Sequence, residues 1–132
     1  MIMLDITEKL LISFTFPFRA VSANNMYKKS RWRGIYKNKE AKEFELKIKN
    51  FIDQLPKKDI SLPIEHPVEL VYAFSYKNSH HQDLDNSIKC LTDALQNANI
   101  IKNDKQIFKL TAEKKINVSD DKIHIFIYEY IL

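Results

Sequence analysis

A single glycine in 132 residues leaves no material for a phosphate-cradling, glycine-rich loop, so no nucleotide cofactor is expected. A single cysteine excludes an internal disulfide and a cysteine-based zinc site. Cys90 falls within a helical pattern among apolar neighbours, which points to packing. No apolar run approaches the roughly eighteen residues of a membrane span, so no membrane partner is expected. The N-terminus carries Asp5 and Glu8 where a signal peptide has a basic start and a clean apolar run, which makes a cytoplasmic location the default. Acid is also missing from one region: no Asp or Glu lies between Lys9 and Lys39.

That window instead holds Arg19, Lys28, Lys29, Arg31, Arg33 and Lys37, so the net charge of +4 understates the asymmetry of the chain. A basic stretch joined to an acid-bearing remainder suggests a polyanion held against something acidic. With 45% hydrophobic and 29% charged residues, the composition is that of a globular protein. The length suits a single domain, 1–132.

Residues 11–18, LISFTFPF, alternate as a strand does and stop at Pro17. A basic connector follows at about 19–37. Asn38 is placed to cap a helix in which Ala41, Phe44, Ile48, Phe51, Ile52 and Leu55 recur at helical spacing, stopped by Pro56. The stretch PVELVYAFSY (67–76) alternates as a strand, and a second helix spans about Asp83 to Asn97. Two strands, 105–118 and 122–132, then form a closing hairpin about the turn signal Ser119-Asp120-Asp121. The order β-α-β-α-β-β predicts an α+β domain with two main helices on one mixed sheet.

The second helix opens on HQDLDNSIKCLTD (81–93). At 100° per residue, Leu84, Ile88, Leu91 and Leu95 define the buried arc, and Asp85, Lys89 and Asp93 lie at its rim. A plain reading is available: Asp83 caps the helix, and Asp85 with Lys89 forms an i,i+4 pair. The other reading is a metal site. If the helix packs antiparallel to the next strand, Asp104 could stand beside Asp83 and Asp85. Three carboxylates within about 5 Å of one another repel by roughly 3 kcal/mol per pair at an effective dielectric of 20, so they call for a cation. Other metals fit poorly. Ile88 and Ala94 occupy the positions where a calcium loop starting at Asp83 needs glycine and glutamate. His80 and His81 are adjacent and His66 and His124 isolated, which argues against zinc.

The core DLDNSIKCLTDAL (83–95), followed by DKQI (104–107), resembles the RusA family of Holliday-junction resolvases. FPF at the end of the first strand and SANNMY (22–27) before the basic residues are similar to the same pattern. Asn103 departs from it where the family often has a second acid, and Asn97-Ala98-Asn99 lacks the glycine commonly found there. The resemblance implies a RusA-like fold and a homodimeric endonuclease, dependent on magnesium with manganese as a substitute. It would nick four-way DNA junctions symmetrically in recombination and repair. Asp83, Asp85 and Asp104 would be the metal ligands and Lys89 the basic residue of the site.

Phosphodiester hydrolysis builds negative charge, which a hard cation on oxygen ligands stabilises while acidifying water. Lys89 would add a second positive charge at the phosphate. Asn86 and Asp93 would stand behind, orienting the ligands or Lys89. Asn25, Lys28, Lys29, Arg31, Arg33 and Lys37, interleaved with Tyr27, Trp32 and Tyr36, would hold DNA through phosphate contacts and stacking. Two other functions are compatible with the residues: a metal-dependent nuclease for other branched DNA, and a catalytically idle DNA-binding protein of the same fold.

Overall fold

The alternating apolar stretches pair into one sheet, and the two helical patterns cover one of its faces. In a computed structural model, the structure describes residues 9–21, 27–30, 34–37, 39–56, 61–78 and 83–132. Its elements are β1 (Leu10–Phe16), β2 (Tyr27–Ser30), β3 (Gly34–Lys37), α1 (Lys39–Asp53), β4 (Val68–Ser75), α2 (Leu84–Asn97), a 3-10 turn (Asp104–Gln106), β5 (Ile107–Lys115) and β6 (Lys122–Glu129). Four strands make a mixed sheet in the order β1-β6-β4-β5, and β2 and β3 form a separate two-stranded ladder. This is the α+β arrangement expected from the sequence.

The core follows from the two periods. Leu70, Tyr72 and Phe74 of β4 and Ile123, Ile125 and Ile127 of β6 are buried on the helix-bearing face. Phe44, Ile48 and Ile52 of α1, with Leu91 and Leu95 of α2, join them in the same apolar cluster. Cys90 is buried there as well. In α2 the buried residues are Ser87, Cys90, Leu91, Ala94 and Leu95. Their centre is turned by about 60° from the arc of Leu84, Ile88, Leu91 and Leu95, taking 100° per residue. Small side chains at 87, 90 and 94 suit close packing of α2, whose nearest neighbouring element is α1, so the buried face follows size as well as hydropathy.

Two expectations are corrected. The basic connector contains β2 and β3, paired antiparallel from Tyr27↔Lys37 to Ser30↔Gly34. Tyr27, Ile35 and Tyr36 are good strand formers, and the charges between them hide the alternation. The last two strands form no hairpin. β4 lies between them, parallel to β5 and antiparallel to β6. The β4–α2–β5 crossover places β5 beside β4. The six-residue link 116–121 is then long enough to step over β4, since neighbouring strands lie about 4.8 Å apart. Two backbone bonds at Tyr76, to Lys115 O and from Val118 N, mark that crossing.

Candidate active site

The N-terminal end of α2 is built around Asp83. Its backbone is extended, and its side chain accepts from the amides of Asp85 and Asn86 at 3.0 and 3.5 Å. The capping half of the plain reading is therefore observed. Asn86 Nδ2 also donates to Asp83 Oδ2 at 3.2 Å, which orients the carboxylate. Ser87 Oγ donates to the Asp83 carbonyl at 3.0 Å and lies 3.4 Å from the Tyr76 hydroxyl. This hydroxyl chain fastens the helix start to the end of β4. Asp83, Asp85 and Lys89 are all exposed. Among the described residues, no ion pair joins Asp85 to Lys89.

Asp104 belongs to the other end of the helix. Its backbone N–H donates to Gln96 Oε1 at 3.1 Å, in the last turn of α2. From Asp83 to Gln96 the helix advances about 20 Å, at 1.5 Å per residue. The sheet gives the same answer independently. Asp104 precedes Ile107, which pairs with Val68, whereas Asp83 follows Ser75 and Tyr76 at the far end of β4. Those strand ends are about 23 Å apart at 3.3 Å per residue. The chain on its own does not bring Asp104 beside Asp83 and Asp85, contrary to expectation. A helix returning antiparallel to a strand carries the next strand's start to its own C-terminus, away from its N-terminus. Among the described residues, no three His, Cys, Asp or Glu side chains come together closely enough to hold a metal.

What holds Asp104 was not evident from the sequence. Asn103 caps the 3-10 turn, accepting from Lys105 N at 2.8 Å. Gln106 makes four bonds: its Oε1 accepts from Lys102 N and Asn103 N, each at 2.9 Å, and its Nε2 donates to the carbonyls of Ile64 and His66, each at 2.8 Å. The helix ends in a Schellman arrangement, with Ile100 N bonded to Leu95 O and Asn99 N to Gln96 O. Asn99 takes φ 57°, a left-handed position that asparagine tolerates, and so serves where a glycine was missed. The glutamine of DKQI was the available signal for this bracket.

Asp93 sits midway along the helix, half-buried, about 12 Å from Asp85 at 1.5 Å per residue. Burial pushes the Tyr72 phenol well above its ordinary pKa. Its 2.8 Å bond with Thr92 Oγ1 opposes this, and the charge of Asp93 adds to it. Tyr76 is raised in the same direction by burial, with Ser87 and Arg19 opposing and Asp121 adding. Of the residues expected to hold DNA, Lys28, Lys29 and Lys37 lie on β2 and β3, with Lys28 opposite Tyr36 and Lys29 opposite Ile35. Asn25, Arg31 and Arg33 lie outside the described residues, as do Trp32, Asn38, His80 and His81. No helix among the described residues is long and apolar enough to cross a membrane.

A family model described as endodeoxyribonuclease RusA matches residues 17–128, which takes in both ends of α2 and the β2–β3 ladder. No curated protein matches the chain.

Proposed function

Because this chain belongs to the RusA endodeoxyribonuclease family, we propose that it resolves four-way DNA junctions by paired nicks, as a homodimer that uses magnesium or manganese. The observation that carries this reading is the family match over residues 17–128 together with exposed carboxylates at both ends of one helix. Asp83 and Asp85 supply one pair of oxygen ligands. Asp104 completes the set only when it comes from a second copy. Two chains related by a two-fold axis with their α2 helices antiparallel would place the C-terminal end of one helix against the N-terminal end of the other. Such a dimer has two equivalent sites, which suits cutting two strands of a symmetric junction.

A divalent cation bound there would supply positive charge to the phosphate and acidify the attacking water. The protein's own residues do the remaining work. Asn86 fixes the Asp83 carboxylate through the 3.2 Å bond. Lys89, exposed one turn beyond Asp85, brings a cation to the developing charge without taking up a carboxylate. The β2–β3 ladder, carrying Lys28, Lys29 and Lys37, is the element suited to hold a DNA arm, with Asn25, Arg31 and Arg33 beside it in sequence. If about four to six phosphates are contacted, log K falls with log salt at a slope near −4 to −5.

The deciding experiment is a synthetic four-way junction incubated with magnesium and, separately, with calcium. Symmetric nicks in the first and binding without cleavage in the second are expected. Faster cutting of flaps or forks than of the junction would favour a nuclease for other branched DNA. Binding without cleavage of any substrate in magnesium would contradict the enzyme.

A further inference from the structure

A cleft opens where the end of β1, the end of β4 and the start of β6 meet. Its volume is about 540 Å3, and its lining includes the cations Arg19, Lys77 and Lys122. Thr15 and Phe18 form part of the wall, and the acids Asp120 and Asp121 close one side. None of the three cations is in an ion pair among the described residues. Asp121 is already engaged, accepting from the Lys77 backbone N–H at 2.8 Å, so it fixes the cleft wall. The guanidinium of Arg19 lies 5.4 Å from the centre of the Tyr76 ring, which holds it over that face.

The cleft is tied to the acidic end of α2 by a short run of contacts. Arg19 sits on Tyr76, the Tyr76 hydroxyl lies 3.4 Å from Ser87 Oγ, and Ser87 Oγ donates to the Asp83 carbonyl at 3.0 Å. We propose that this cleft is a backbone-phosphate subsite for DNA, in which Arg19, Lys77 and Lys122 seat a phosphodiester of the strand that runs on to Asp83 and Asp85. The proposal rests on the nuclease reading and deepens it. Cations outside ion pairs, with a hydroxyl beside them, match the needs of a phosphate oxygen: charge to offset its own, and directed donors. The volume lies within the roughly 300–1,000 Å3 of small-ligand sites, enough for a phosphodiester with flanking sugar. Phe18 offers an apolar surface for that sugar. Asp120 and Asp121 both oppose an anion; Asp121 is needed for the cleft wall, so Asp120 provides the test of opposite sign.

The test is junction binding in calcium across a salt series, on chains whose thermal unfolding matches the wild type. Lys77→Gln/Lys122→Gln is expected to weaken binding about tenfold and to make the log K against log salt slope less negative by about 0.9, the value for one phosphate. Asp120→Asn is expected to tighten binding about twofold to threefold at low salt, with no added slope. Unchanged affinity and slope in the lysine variant, with wild-type binding intact, overturns the subsite and leaves the nuclease reading standing. No junction binding by the wild type overturns both.

Discussion

The two ends of α2 are made differently: a capped aspartate holds one, and a hydrogen-bonded turn holds the other. At the N-terminal end the acids are exposed, and one short cap with a hydroxyl chain holds them. At the C-terminal end the helix closes in a Schellman arrangement, and Gln106 spends all four of its bonds shaping the turn that carries Asp104. The first end presents two exposed carboxylates; the second is a bracket that fixes the position of a third. Neither end alone gathers three carboxylates, and the roughly 20 Å of helix between them, at 1.5 Å per residue, prevents it within one chain. On the proposed reading, that separation makes a second copy of the chain a condition of activity.

If both ends belong to one site, damage at either should have the same effect on chemistry. Asp85→Asn and Asp104→Asn are each expected to lower nicking in magnesium by well over the roughly 10–100-fold of changes behind the ligands, with junction binding in calcium retained. Unequal losses would break the comparison. A smaller effect separates bracket from ligand. Gln106→Ala leaves the carbonyls of Ile64 and His66 and the amides of Lys102 and Asn103 without that partner. Each group left unsatisfied costs about 1–3 kcal/mol if water does not replace the bond, so the urea midpoint should fall and nicking should drop with it. An unchanged midpoint would show that the bracket carries no strain of consequence.

The smallest effect concerns the helix between the ends. The folded pKa of Tyr72 is raised above its unfolded value of 10.0 by burial. A raised folded pKa means the unfolded chain loses its proton first. Stability is therefore full below pH 10 and declines as pH rises above it, by up to about 1.4 kcal/mol per pH unit for one group. Urea midpoints taken between pH 9 and 11 should show that decline in the wild type and a shallower one in Tyr72→Phe. Equal slopes would remove Tyr72 as the cause.

Much of this was legible because it is periodic. The stretches at 10–16, 68–75 and 122–129 announce strands by alternation, and α1 and α2 announce themselves by helical spacing. Asp83 as a cap was readable from the chain, and the motif DLDN with DKQI identified the family. What did not show was pairing. Strand order depends on which edges meet, so the hairpin expected between β5 and β6 gave way to β4 lying between them. The distance from Asp104 to Asp83 was hidden for a related reason. Sequence separation says that a loop returns, and only the direction of α2 against β4 and β5 says to which end. The basic stretch concealed β2 and β3 because lysines interrupt the aromatic and aliphatic pattern. The exposed positions of Asp85 and Lys89 came from a buried face turned toward Ser87 and Ala94, which hydropathy ranks low.

The central claim is that a working site takes Asp83 and Asp85 from one chain and Asp104 from another. Mixing separately inactive Asp85→Asn and Asp104→Asn chains tests it directly. Each mixed dimer would then hold one intact site, and junction nicking should recover to roughly a quarter of wild-type sites under random assortment in a two-fold dimer. No recovery, in a mixture shown by mass to contain mixed dimers, would contradict the account.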